Sequence, residues 1–277
     1  MKYKDLPYKL TQPSKEYILQ HKLTEVSGLS FISDTEVALI EDEDGTIFYF
    51  NLEKGVITRK ISFGKDGDYE DLKILGDTAY IIRSDGTLFE VLNLKGKSSG
   101  MIKNKYKTGL DQKNDTEGLC YDDTRHLLLI SCKDSPGEDE KYKDKKAIYS
   151  FDPQTKKLSD KPVILIDISE VENVAYGTGK NIIERFMRFY RGTKQSSFLP
   201  SGLSIHPFTH DIYVISSVSN LLAIIDTTGK VKHAIKLSTR VFKQPEGIAF
   251  DSKGNLYISN EGRRGKGNIL KFLYLKD

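Results

Sequence analysis

One short phrase recurs five times along this chain, each time at the head of an apolar run: Ser27-Gly28-Leu29, Glu70-Asp71-Leu72, Glu117-Gly118-Leu119, Ser201-Gly202-Leu203 and Glu246-Gly247-Ile248. Such a repeat constrains the fold strongly, because each copy is one supersecondary unit that can bury its apolar face only against its neighbours. After each phrase come a polar turn and a second run rich in β-branched residues, at 37–40, 79–82, 127–130, 212–215 and 256–258. Every unit therefore opens with a hairpin. A third run follows in each copy, at 46–51, 87–91, 147–151, 221–225 and 268–272, and a fourth in the first four copies, at 56–62, 101–107, 161–166 and 231–237. The fifth copy stops after three strands, whereas 17–23 reads as a strand that belongs to no unit. Donating that segment to the last sheet closes a ring and leaves only short, protected edges.

The expectation is an all-β, five-bladed β-propeller closed by an N-terminal strand, a single domain over 1–277. The closing strand lies within 16–26 and the blades over 27–63, 68–107, 115–166, 199–238 and 244–277, with a short helical insertion between blades 3 and 4 at 167–198. The phrases are 43, 47, 84 and 45 residues apart, so one interval is nearly double. The extra length lacks the phrase, and Ile182, Ile183, Phe186, Met187 and Tyr190 recur there at helical spacing with Arg185, Arg188 and Arg191 opposite. Two uses suit that helix: packing on the propeller rim, or a basic amphipathic face for a partner or membrane surface. Residues 134–146, a mixed-charge run with Pro136 and Gly137, read as a solvated loop.

Composition removes several function classes. A formal net charge of +3 spread along the chain is too weak for a nucleic-acid surface, which needs a concentrated basic stripe. No run of about 18 apolar residues exists, so no transmembrane segment is expected, and the polar residues 1–13 are no signal peptide. Any export signal is expected to lie outside this chain, and the folded chain is expected to be a monomer. Cys120 should face about residue 128 across its hairpin, which puts it out of register with Cys132. Both thiols then act as small buried apolar groups. The five histidines are scattered, and neither a nucleophile elbow nor a phosphate-cradling loop is present.

In a propeller the innermost strands line the axis, so the first residues of the phrases, Ser27, Glu70, Glu117, Ser201 and Glu246, should converge on one mouth of the channel. Carboxylates held close together repel, and either a raised pKa or a cation relieves them. Hard oxygen donors without His or Cys suit calcium. The alternative is that the glutamates bond backbone N–H groups of neighbouring blades, with water along the axis. The ends of the second strands share this rim and add Asp42, Arg83, Asn260 and Glu261 as candidate contacts for a small polar ligand or a protein. A hydrated loop face is the other use of such a rim.

The phrases at 27, 117 and 201, Pro245-Glu246-Gly247-Ile248-Ala249, and Asp251-Ser252-Lys253-Gly254-Asn255-Leu256 after it resemble the SdiA-regulated (YjiK-like) family, which is related to the NHL-repeat propellers. The resemblance runs from about 25 to 272. It implies a five-bladed propeller with a calcium site, and the metal role carries over to Glu70, Glu117 and Glu246, less directly to Ser27 and Ser201. It also implies a periplasmic or cell-envelope location. The second copy departs from the pattern at Asp71, where glycine is usual. Two functions fit: a non-catalytic calcium-binding propeller that holds a ligand or protein on its upper rim, or a calcium-dependent hydrolase of the lactonase or esterase kind using the axial metal.

Overall fold

The computed structural model describes residues 6–96, 101–177, 198–263 and 265–275. Five antiparallel sheets follow one another along the chain. The first blade contains β2 (Val26–Ser33), β3 (Glu36–Glu41), β4 (Thr46–Asn51) and β5 (Val56–Ser62). Next come β6 (Tyr69–Leu75), β7 (Thr78–Arg83), β8 (Thr87–Leu92) and β9 (Met101–Lys107). Blade 3 has β10 (Thr116–Asp122), β11 (Leu127–Cys132), β12 (Lys145–Asp152), β13 (Lys157–Leu158) and β14 (Ile164–Asp167). Blade 4 is β15 (Gly202–Ile205), β16 (Ile212–Ser216), β17 (Leu221–Ile225) and β18 (Val231–Lys236). In blade 5, β19 (Pro245–Phe250), β20 (Leu256–Asn260) and β21 (Asn268–Phe272) are completed by β1 (Lys15–Ile18). The expected five-bladed propeller, closed by an N-terminal strand, is the observed fold.

Second and third strands are buried on both faces, which is why their sequences are apolar runs rather than alternations. The core is correspondingly divided: five apolar clusters each join two adjacent blades, blade 1 to 2 through Ile40, Ile61, Phe89 and Val91, for example, and blade 5 to 1 through Leu29, Phe48, Phe50 and Tyr257. Each fully buried side chain of this size contributes roughly 1.5–3 kcal/mol. No blade has a core of its own, so ring closure is what completes the fold.

Three sequence expectations shift. The closing strand is Lys15–Ile18, upstream of the expected 17–23, and His21–Leu23 is a 3-10 turn. Leu19 and Leu23 are both buried, and the chain turns between them through bonds from the Leu23 N–H to Gln20 O at 2.9 Å and from the Thr24 N–H to His21 O at 3.1 Å. The fourth strand of blade 3, expected at 161–166, is split into β13 and β14, both paired to β12. Pro162 between them has no N–H for the ladder. The described helix of the insertion is α1 (Ile168–Tyr176), capped by Asp167, whose Oδ1 accepts from the N–H of Ser169 (2.9 Å) and Glu170 (3.1 Å). Its Val171 and Ala175 are buried in the cluster between blades 3 and 4. The helix expected around Ile182 to Tyr190 falls outside the described residues. In the 134–146 loop a 3-10 turn at Glu140–Tyr142 buries Tyr142, so that segment is partly anchored rather than wholly solvated.

Candidate functional site

The repeated phrase has a local structural meaning that the sequence shows only as a pattern. Pairing passes from Tyr69 opposite Arg83 to Asp71 opposite Ile82, and from Thr116 opposite Cys132 to Gly118 opposite Ser131. Glu70 and Glu117 are therefore the extra residues of β-bulges. The ladders of blades 1 and 5 slip at the same place, between Val26 and Leu29 and between Pro245 and Ile248. A bulge re-aims the side chain it carries, and four of them turn Ser27, Glu70, Glu117 and Glu246 away from their own sheets at the same axial level. The glycine that follows allows the blades to approach. A Cβ on Gly118 would lie 2.5 Å from Leu203 Cδ2 and 2.8 Å from Ser131 Oγ. The N–H of Gly118 donates to Ser131 Oγ at 3.1 Å, and that of Gly247 to Ser259 Oγ at 2.8 Å.

Asp71, the exception in that glycine column, is a clamp. Its buried carboxylate accepts from the N–H of Leu72 and from that of Leu119 in blade 3, both at 2.8 Å, and a Cβ on Gly28 of blade 1 would stand 2.8 Å from its Cα. We expect Asp71→Ala to leave two buried N–H groups without acceptors and to cost about 2–4 kcal/mol, measured as a fall in the urea midpoint with an unchanged slope. An unchanged midpoint would show that the clamp is dispensable.

Among the residues expected at the mouth, the three glutamates do come together. Glu117 and Glu246 are buried and Glu70 is half-buried. Burial first, then the charge of Glu117, drives the Glu70 carboxyl far above the ordinary range. Glu117 is raised by burial and restrained by Lys133, so of this tightly packed pair Glu70 holds the proton and Glu117 the charge. Burial, with Glu117 and Glu261 nearby, raises Glu246 to about 8. Burial also raises Glu261 to about 7, aided by Asp42 and Glu25, and raises Asp42 to about 6, aided by Glu25. The amide of Gln244 bridges Glu246 (3.1 Å) and Glu261. Asp42 Oδ1 and Asn260 Oδ1 are buried without hydrogen-bond partners.

The other candidates do different work. Ser27 Oγ donates to Glu25 O at 3.2 Å, and Ser201 Oγ bridges blades by donating to Pro245 O at 3.1 Å. Arg83 is held in its own turn by Asp85, through Nε to Oδ1 at 3.0 Å and a second contact at 2.5 Å. Its guanidinium is therefore already occupied. The cation of the mouth is Lys133, which sequence reasoning missed. Its ammonium bonds the Glu117 carboxylate and lies 3.8 Å from Asp115 Oδ2. It stands just past the end of β11, on the rim where the second strands end, and the signal was its place two residues beyond Ser131.

Calcium suits these oxygen donors chemically. Among the described residues no group of three or more His, Cys, Asp or Glu is arranged to hold a metal ion. An ammonium instead occupies the position beside Glu117.

Fold and mouth together define a class: a five-bladed β-propeller whose axial end carries buried carboxylates from three different blades. Residues 194–264, spanning blade 4 and the first two strands of blade 5, match the sequence model of the SdiA-regulated family, in keeping with the expected resemblance. No match was found among curated protein sequences. Solved structures share the fold. A glutaminyl cyclase from Myxococcus xanthus superposes with a TM-score of 0.61 at 16% identity, covering 95% of each chain. A PQQ-bound aldose sugar dehydrogenase from Streptomyces coelicolor gives 0.51 at 12%, covering 94% of this chain and 99% of the other. A gluconolactonase from Xanthomonas campestris gives 0.50 at 10%, covering 90% and 72%.

Proposed function

We propose that this chain is a non-catalytic binding module whose axial mouth takes up a positively charged group. One observation carries the reading: among the described residues, glutamates from blades 2, 3 and 5 face a single ammonium, so the buried mouth has more carboxyls than cations and keeps protons on those that Lys133 does not pair. A ligand cation entering there replaces the protons that the carboxylates otherwise retain. Calcium, implied by the family resemblance, is the first ion to test, and a small primary amine is the second. Titration calorimetry at pH 8 with calcium chloride, and separately with putrescine, should show uptake that weakens at least tenfold in Glu246→Gln and at pH 5.5. No heat with either probe would overturn the reading. A cell-envelope location belongs to the same proposal, and fractionation of the native host checks it.

A second reading rests on a different feature of the same mouth. Glu70 and Glu117 have pKa values pushed apart beside an ammonium, which supplies a proton donor, an acceptor and a fixed positive charge. Propellers of this fold include proteins named as a glutaminyl cyclase and a gluconolactonase. Turnover of a lactone, or of a peptide with N-terminal glutamine, that is lost in Glu117→Gln would replace the binding module with an enzyme.

A further inference from the structure

The innermost strands run from the acidic mouth toward the opposite end of the axis, and a chamber of about 240 Å³ opens there. Leu29, Leu119, Leu203 and Ile248, from blades 1, 3, 4 and 5, form its apolar wall. The space exists because three of those blades carry small residues at the next level: Cys120, Ser204 and Ala249 all line it. Blade 2 puts Lys73 at that level. From Glu70 to Lys73 is three residues, roughly 10 Å along a strand, so chamber and mouth are separate sites.

Lys73 is half-buried and lines the chamber. Among the described residues its amine has neither a hydrogen-bond nor an ion-pair partner; of the other polar groups on the wall, Asp251 and His206 Nδ1 are engaged, whereas His206 Nε2 is buried without a partner. Asp251 accepts from the N–H of Lys253 and Asn255 and from the Asn255 amide. His206 Nδ1 accepts from the N–H of Phe208 and Thr209. The charged and thiol groups that act on Lys73 are Cys120, Asp71 and Asp123, and Asp71 is already bonded to backbone. Burial outweighs them and lowers the amine's pKa, which enlarges its free-base fraction at neutral pH. A lysine amine freed in this way inside an apolar wall is a nucleophile toward carbonyl carbon.

We propose that this chamber is a second binding site, for a small apolar aldehyde or ketone held as an imine on Lys73 Nζ. The nitrogen lone pair adds to the carbonyl carbon, and a proton passes from nitrogen to oxygen to give the carbinolamine. Water then leaves as the C=N bond forms. No oxidant or reductant is consumed, and the reaction reverses when water adds back. An apolar cavity of about 150 Å³ accommodates benzene, so this chamber takes a ring of that size bearing a carbonyl group.

The test is reductive trapping of the full chain with benzaldehyde and cyanoborohydride at pH 7, followed by peptide mass mapping. Burial enlarges the free-base fraction of Lys73, so it should be modified severalfold faster than the median lysine. Ser204→Leu, which fills the chamber, should protect Lys73 and leave the other lysines unchanged. Should that variant fail to fold, excess benzyl alcohol on the unaltered chain gives the same reading, by slowing the modification of Lys73 alone. Labelling of Lys73 at the rate of surface lysines, or equal labelling with the chamber filled, overturns the proposal.

Discussion

Replacing Lys133 by methionine is expected to destabilise the protein strongly at pH 8 and hardly at all at pH 5. The ammonium bonds Glu117, whose carboxylate is buried. Removing one partner of a buried pair leaves an uncompensated charge, typically costing about 3–5 kcal/mol. For a chain of 277 residues that corresponds to a melting temperature lower by roughly 10 °C. The carboxyl escapes part of the cost by taking up a proton, and at pH 5 it is already protonated, since burial raises it to about 7 even with the ammonium present. The loss should therefore shrink to about 1 kcal/mol or less there. Adding Glu117→Gln to Lys133→Met removes the orphan charge and should recover most of the stability at pH 8. Thermal unfolding of the three proteins at both pH values decides it. Equal melting of parent and Lys133→Met at pH 8 would mean that the pair contributes nothing net. The same variant separates an internal counter-ion from a bound one: with the ammonium gone, calcium chloride should raise the melting temperature more than it does in the parent.

The repeat was legible because a propeller writes its period into the chain: the bulge residue, the glycine after it and the apolar third residue recur wherever an innermost strand begins. The convergence of Glu70, Glu117 and Glu246 follows from that period alone. Lys133 does not, since it occurs in one blade only and no repeat announces it. Arg83 looked available at the rim because its partner lies two residues on, within a tight turn, where the sequence shows an Arg and an Asp but not that they close on each other. Asp71 looked like a broken repeat. It is a local solution in which a carboxylate takes the N–H groups of its own and a neighbouring blade, work given in blades 3 and 5 to serines of the second strand. The closing strand was misplaced for a related reason: alternation of Tyr17, Leu19 and Leu23 is compatible with a strand, and only the docking of Leu23 reveals the turn.

Stability should peak near pH 5 and fall as the solution becomes alkaline, the reverse of a protein governed by well-paired surface carboxylates. Glu90 is the ordinary case. Although burial opposes it, bonds from Lys156, Asn104, Tyr106 and Tyr80 depress its pKa to about 2, so its contribution is present above pH 4.5 and is lost as the pH drops toward 2. Glu246 and Glu261 run the other way. Their folded pKa values, about 8 and about 7, lie above the 4.5 of an unperturbed glutamate, so between those limits the folded chain binds more protons than the unfolded one. Stability contributed by such groups is full below about pH 4.5 and is lost on passing the folded pKa. A tenfold difference in proton affinity between the folded and unfolded chain is worth about 1.4 kcal/mol, so Glu246 alone accounts for roughly 3–5 kcal/mol between pH 5 and 8.5. The melting temperature should then drop by about 10 °C over that range. Glu246→Gln keeps the shape without the titration, so it should flatten the curve and melt above the parent at pH 8.5. A cation seated in the mouth should flatten it in the same way, by holding the carboxylates ionised at no cost to the fold. A parent protein whose melting temperature is level from pH 5 to 8.5 would show that the mouth is already neutralised and has no positive group left to recruit.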